Sequence, residues 1–188
     1  MRKLIFGFNI TMDGYIDHDA VIADDELHEV ASELFRTADL VLFGRVAYEL
    51  MAGSWPSAED DKTLSASVRE FASLINPVPK IVYSRTIEKV DWNTGIESEV
   101  DPGRVLDMKR QPGKNILLGG GASIARTFMK YGLIDEYRFL VQPIMLGHGK
   151  RLFENNSLRR DLKLMNTRTL GSGVVELVYQ DTGLVARQ

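Results

Sequence analysis

Apolar positions along this chain fall into two kinds of run. Four runs are short and nearly continuous: Leu4–Ile10, Leu40–Phe43, Ile81–Tyr83 and Ile116–Leu118. They lack apolar/polar alternation, which predicts strands buried on both faces, as in a parallel sheet. Between them the spacing becomes helical. Leu27, Val30, Ala31, Leu34 and Phe35 share one face behind Asp24, Asp25 and Glu26, where negative charge suits a helix start. Leu64, Val68, Phe71, Ala72 and Ile75 make a second face that ends at Asn76-Pro77. A third helix is expected over Pro102–Lys109. A fourth carries Ile124, Ala125, Phe128 and Met129 and stops at Gly132.

The last third reads differently. Tyr137–Gln142 is a strand closed by Pro143. Leu162–Leu170 and Val174–Tyr179 are extended runs joined by Gly171-Ser172-Gly173, a hairpin signal. The pattern therefore predicts an α/β fold with a mixed sheet, parallel β-α units first and antiparallel strands last. The acidic run Glu59-Asp60-Asp61 reads as a solvated helix start rather than a metal site.

Composition narrows the function classes. The chain has 188 residues, 44% hydrophobic, a formal net charge of −3 and no cysteine. That length suits one domain. The charge gives no footprint for nucleic acid. No apolar run approaches the roughly 20 residues that span a bilayer, and the opening Met1-Arg2-Lys3-Leu4-Ile5-Phe6-Gly7 reads as a first strand rather than a signal peptide. Absence of cysteine removes disulfides and thiolate zinc sites and favours a cytoplasmic protein. His18, His28 and His148 lack metal-binding spacing, so no metal is expected.

Candidate chemistry lies where the buried strands end. Ile116–Leu118 runs into Gly119-Gly120-Gly121-Ala122-Ser123, a turn without side chains that opens a helix. Glycine allows close backbone approach, and the first N–H groups of a helix are unpaired and electropositive. A phosphate fits such a turn; so does a plain strand-to-helix bend. The dinucleotide fingerprint fails at Ile124, and no P-loop lysine follows. Leu40–Phe43 ends in Gly44-Arg45, opening a short helix over Arg45–Met51, and Ile81–Tyr83 ends in Ser84-Arg85. In open α/β sheets ligands bind beyond the carboxyl ends of the strands. Three such ends side by side offer two guanidiniums, a hydroxyl and a backbone cradle, a set suited to a dinucleotide.

These pieces resemble the dihydrofolate reductase superfamily, and more closely the reductase domain of the bifunctional deaminase/reductase of riboflavin biosynthesis. The likeness is carried by Thr11-Met12-Asp13-Gly14-Tyr15-Ile16, Leu42-Phe43-Gly44-Arg45-Val46-Ala47-Tyr48-Glu49, Ile81-Val82-Tyr83-Ser84-Arg85, Leu118-Gly119-Gly120-Gly121, Pro143-Ile144-Met145-Leu146-Gly147-His148-Gly149 and the final Gly-Ser-Gly hairpin, in that order. It implies a single domain over residues 1–188. The implied fold is a three-layer α/β/α arrangement with a mixed central sheet, a parallel core and an antiparallel C-terminal hairpin. It also implies a homodimer and an NADPH-dependent reductase of a pteridine-, pyrimidine- or nucleotide-like small molecule, such as 5-amino-6-(5-phosphoribosylamino)uracil or dihydrofolate. By the same analogy Gly44, Arg45 and Val46 hold cofactor phosphate. Ser84 and Arg85 lie by the adenosine end, near the 2′-phosphate. Gly119, Gly120, Gly121, Ala122 and Ser123 bind pyrophosphate. Asn9 and Ile16 border the nicotinamide. Ala47 stands where relatives often carry a threonine, and the zinc deaminase of the bifunctional relatives has no counterpart in a chain without cysteine.

The proton donor is less legible. Asp25 and His28 are catalytic candidates on the first helix; each also reads as a plain capping Asp and an exposed His. Asp13 is either a pocket residue or the turn residue of Asp13-Gly14. Tyr48 and Trp55 either wall the substrate pocket or belong to the core. A non-catalytic module binding NADP(H) or a flavin nucleotide remains the alternative.

Overall fold

The computed structural model describes residues 1–153 and 159–184. The strands are β1 (Leu4–Thr11), β2 (Ala38–Gly44), β3 (Lys80–Tyr83), β4 (Thr94–Glu97), β5 (Asn115–Leu118), β6 (Glu136–Gln142), β7 (Arg160–Thr169) and β8 (Val175–Leu184). They form one sheet in the order β4-β3-β2-β5-β1-β6-β8-β7. Every pairing from β4 to β6 is parallel, whereas β8 runs antiparallel to β6 and β7 to β8.

The absence of alternation in the early strands has the expected cause. Leu4 and Phe6 of β1, Leu42 of β2 and Ile116 and Leu118 of β5 pack on one face, against Ala125, Phe128 and Met129 of α5 (Ala122–Lys130) and Val105 of α4 (Pro102–Arg110). Ile5, Val41, Phe43 and Leu117 point the other way. They meet Leu34 and Phe35 of α1 (Asp25–Arg36), Tyr48 of α2 (Arg45–Ala58), and Phe71 and Ile75 of α3 (Ala66–Ile75). Burying apolar side chains on both sides of a strand, at about 25 cal/mol per Å², makes this parallel block the stable centre. The three layers and the antiparallel C-terminal hairpin are the dihydrofolate reductase-like architecture.

Three local expectations are corrected. The helix after Gly44 runs to Ala58, well past Met51, and accommodates Pro56 near its end. Its last turns are held by Trp55, whose ring lies 4.5 Å from that of Phe71 on α3. The run Glu59-Asp60-Asp61 follows this helix instead of opening the next; Asp61 accepts from the Thr63 N–H and hydroxyl, and Ser65 caps α3. Strand β4 had no signal in the apolar pattern. It is a four-residue edge strand, Thr-Gly-Ile-Glu, in which Gly95 and Ile96 are exposed and Thr94 and Glu97 half-buried, so it offers no apolar run to read.

Candidate functional site

The parallel block sends the carboxyl ends of β1 to β6 to one edge. Neighbouring strands β2 and β5 each lead straight into a helix there, α2 and α5. The junctions touch: the Gly44 N–H donates to the Gly120 carbonyl at 3.2 Å, and the Gly119 N–H to the Leu42 carbonyl at 2.9 Å. Gly120 and Gly121 adopt φ of 140° and 97°, which side chains rarely tolerate. A Cβ at Gly120 would also lie 2.6 Å from the Phe8 ring.

The helix caps separate into two groups. Helices α1, α3 and α4 begin with side-chain caps from Asp24, Ser65 and Asp101. Helices α2 and α5 begin at Gly44 and Gly121, and no side chain caps either. Their first N–H groups are thus left for another acceptor at the positive ends of two dipoles.

A cleft of about 400 Å³ lies over this junction. Gly44, Arg45 and Val46 line one side, Gly121, Ser123, Ile124 and Thr127 the other, with Tyr83 and Lys150 completing it. Its charged lining residues are Arg45 and Lys150, so it is electropositive. Arg45 meets both carboxylate oxygens of Glu49, one turn on, at 2.9 and 2.8 Å. That exposed pair is worth little and opens readily to a competing phosphate.

A larger cleft of about 720 Å³ adjoins it, sharing Tyr83, Ile124 and Thr127. Ser84 and Arg85 lie here, opposite Glu99, Val100, Asp101 and Pro102. The Ser84 hydroxyl oxygen accepts from the N–H groups of Thr86 and Ile87 at 3.1 and 3.0 Å, so it shapes the turn. Arg85 donates to Glu99 at 2.9 Å, with both side chains exposed.

Two adjoining clefts thus gather most of the residues expected to bind cofactor: Gly44, Arg45, Val46, Gly121 and Ser123 in the first, Ser84 and Arg85 in the second. Gly119, Gly120 and Ala122 supply the backbone between. The remaining candidates lie elsewhere and have other partners. Asn9 accepts from Gln142 at 3.0 Å, and Gln142 in turn accepts from the Ile22 N–H. Ile16 donates to the Lys150 carbonyl at 2.8 Å, so its loop braces the one bearing Lys150. Asp13 accepts from Thr11 and from the Leu146 and Gly147 N–H groups, which hold its carboxyl below the ordinary value and pin the same loop.

Tyr48 is buried, and its hydroxyl exchanges hydrogen bonds with the Asp91 carbonyl, carboxylate and N–H. It anchors the segment before β4. Trp55 and His28 pack on Phe71. His28 Nδ1 lies 2.7 Å from the Asp24 carbonyl, which orients the ring. Asp25 is not the cap of α1; Asp24 is. The hydroxyls of Ser65 and Ser67 bond to the Asp25 carboxyl and hold it below its ordinary value. At neutral pH Asp25 is a carboxylate tying α1 to α3 and has no proton to give.

The residues of the smaller cleft missed in the sequence are Lys150, Thr127, Ile124 and Tyr83; in the larger cleft the missed residues include Glu99, Asp101 and Tyr131. Lys150 had a signal, as the cation after Gly147-His148-Gly149. Thr127 lies one helical turn after Ser123. Tyr83 reads only as the last residue of a strand.

The family model of the RibD C-terminal domain matches residues 2–176, almost the whole of the described fold. The chain belongs to that family. Among relatives, it is 35% identical to the uncharacterized protein YyaP of Bacillus subtilis (strain 168) over 187 residues, 97% of this chain and 96% of that one. Uncharacterized protein YwjB of the same organism is 26% identical over 182 residues, 92% and 95% of the two chains. Among solved structures, a putative riboflavin biosynthesis protein from Shewanella sp. PV-4 superposes with a TM-score of 0.71 at 19% identity, covering 97% of this chain and 100% of that one. A deaminase/reductase from Thermotoga maritima gives 0.63 at 16% identity, and this chain spans 96% of itself but 56% of that longer protein. At these identities the structural likeness establishes the RibD reductase-domain fold.

Proposed function

We propose that this chain is an NADPH-dependent reductase of a pteridine-, pyrimidine- or nucleotide-like small molecule, working as a homodimer in the cytoplasm. One observation carries the reading: the two helices that start at the Gly44–Gly120 contact are the two without side-chain caps, and they open on a cleft whose charged lining is Arg45 and Lys150. That donor set fits a pyrophosphate. Gly120, Gly121, Ala122 and Ser123 would hold it from α5, and Gly44, Arg45 and Val46 from α2. Ser84 and Arg85 would meet the adenosine end and its 2′-phosphate, and Asn9 and Ile16 would border the nicotinamide. The bound cofactor supplies the hydride; the protein orients it and excludes water. Membership of the RibD C-terminal domain family supports a pyrimidine-like acceptor.

The test is a titration followed by turnover. NADPH should bind, and its absorbance should fall steadily with one acceptor from a panel of pterins and aminopyrimidines. Failure of NADPH to bind at all would remove the proposal.

A second reading has its own support. Asp25 is engaged by two serines, and neither Asp25 nor His28 lines the clefts. A module that binds NADP(H) or a flavin nucleotide without turnover would show tight binding and no oxidation with any acceptor.

A further inference from the structure

We propose that Gln142 is a positioning residue: it turns the Asn9 side-chain amide so that the NH2 end faces the reacting part of the site, where it donates to an amide or lactam carbonyl. The inference rests on the dinucleotide reading above and adds to it a residue that no cofactor motif marks.

Asn9 lies near the carboxyl end of β1, and Gln142 is the last residue of β6. In the parallel register Gln142 stands opposite Thr11, so its side chain shares a face of the sheet with that of Asn9, two residues back. Gln142 is 1% exposed and Asn9 is half-buried. Phe8, beside Asn9 in the chain, lies against Gly120, so this end of β1 abuts the glycine cradle.

One backbone group sets the direction of both amides. The Ile22 N–H can only donate, and it lies 3.0 Å from Gln142 Oε1. The Gln142 carbonyl therefore points to Ile22, and its Nε2 points to Asn9 and donates at 3.0 Å. The Asn9 atom that receives this bond is Oδ1. Its Nδ2 is left on the other side, with no hydrogen-bond partner among the described residues. A buried amide is unfavourable unless it is bonded, and leucine or valine would fill a strand interior without that need. What Gln142 adds is a fixed polarity: Asn9 presents donors and not its carbonyl. Two groups in the proposed reaction carry the matching acceptor, the carboxamide of nicotinamide and the lactam of a pterin or pyrimidine.

The experiment titrates the full chain, Gln142→Glu, Asn9→Asp, Asn9→Ala and the double variant Gln142→Glu with Asn9→Ala, at pH 8 to keep the introduced carboxyls ionised. The probes are NADPH and 2′-phospho-ADP-ribose, which lacks nicotinamide, then pterin and 2,4-diaminopteridine on the NADPH-loaded protein. Gln142→Glu keeps an acceptor for Ile22 and, as a carboxylate, reverses Asn9. Asn9→Asp keeps the Gln142 bond and puts oxygen where Nδ2 was. Each should weaken NADPH, or pterin relative to diaminopteridine, by about tenfold, the effect of one hydrogen bond, and leave 2′-phospho-ADP-ribose unmoved. Loss for NADPH assigns the carboxamide; loss for pterin assigns the lactam. With Asn9→Ala in place, Gln142→Glu should have no further effect. Unchanged affinities for NADPH and pterin overturn the proposal. So does an equal loss for 2′-phospho-ADP-ribose, or additive effects of Gln142→Glu and Asn9→Ala, since each makes the role of Gln142 structural. If the unsubstituted chain binds neither NADPH nor 2′-phospho-ADP-ribose, the dinucleotide reading itself falls, and this inference with it.

Discussion

The backbone N–H of Gly44 donates to the carbonyl of Gly120 at 3.2 Å, and this contact locks the starts of α2 and α5 side by side. Ile124 packs into the junction: a Cβ on either Gly44 or Gly121 would lie 3.2 Å from its Cγ2. The two glycines nonetheless differ. Gly44 has φ of −82°, open to any residue, whereas Gly121 has φ of 97°. Gly121→Ala should therefore destabilise the fold by about 1–3 kcal/mol through backbone strain and weaken NADPH binding at least tenfold. Gly44→Ala meets the stiff Ile124 side chain at 3.2 Å and the Gly120 carbonyl at 3.7 Å but carries no backbone strain, and should cost less, about 1 kcal/mol. Urea unfolding with NADPH titration checks both. Equal effects of the two substitutions would show that backbone conformation is not what the cradle depends on.

Arg85 and Glu99 face each other across the outer cleft at 2.9 Å. A 2′-phosphate would compete with Glu99 for the guanidinium, and Asp101 adds a second carboxylate to the same lining. Arg85→Ala should weaken NADPH by roughly 10–150-fold, the range for a charge-assisted bond of about 1.5–3 kcal/mol, and leave NADH nearly unchanged. Glu99→Gln should strengthen NADPH relative to NADH. Parallel changes for the two cofactors in either variant would remove Arg85 from the 2′-phosphate.

The strand ends were legible because glycines and arginines directly after apolar runs are local signals, and parallel strands bring such ends to one edge. The layers were legible because unbroken apolar strands demand cover on both faces. What stayed hidden depends on partners distant in the chain. Asp25 looks like a cap until Ser65 and Ser67 arrive from α3, and Tyr48 looks like a pocket wall until its hydroxyl finds Asp91. Lys150 reaches the cleft because Ile16 and Asp13 brace its loop from β1. Strand β4 has no apolar signature because an exposed edge needs none.

Lys80 gives a pH-dependent test of the fold beneath the site. It is 2% exposed, and its amine donates to the carbonyls of Ile75, Asn76 and Val78 at 2.8, 3.2 and 2.6 Å, closing the end of α3. Its Nζ also sits 4.1 Å from the Trp92 ring centre. Burial pushes its pKa down from 10.5 to about 8. Below that value Lys80 is charged in folded and unfolded chains alike, so stability does not change with pH on its account. Between about 8 and 10.5 the unfolded chain holds the extra proton, so stability rises with pH, by up to about 3 kcal/mol. Unfolding free energies at pH 7.5 and 10, compared with Lys80→Met, isolate the effect. The variant should lose this rise. It should also be less stable at pH 7.5, because three carbonyls lose their donor. A rise that persists in Lys80→Met would assign it to other groups.

Strand β7 bears on the expected homodimer. It is the last strand of the sheet, ten residues long, with no neighbour beyond it among the described residues. Leu162, Leu164 and Met165 are exposed on it by 38%, 50% and 52%. Soluble proteins commonly blunt such edges with charge, proline or cover, because a long apolar edge invites pairing. Arg168 is drawn back onto Glu33 of α1 and Glu176 of β8, which leaves Asp161 and Lys163 as the exposed charges beside Leu162 and Leu164. A second copy placed against this strand would cover the apolar positions of both chains at once, as a two-fold interface requires. Sedimentation at micromolar concentration should give a dimer, and Leu164→Glu should raise the dissociation constant at least tenfold, because a charge would be buried without a partner. A monomer for the unsubstituted chain, or a dimer indifferent to Leu164→Glu, would rule out β7 as the contact.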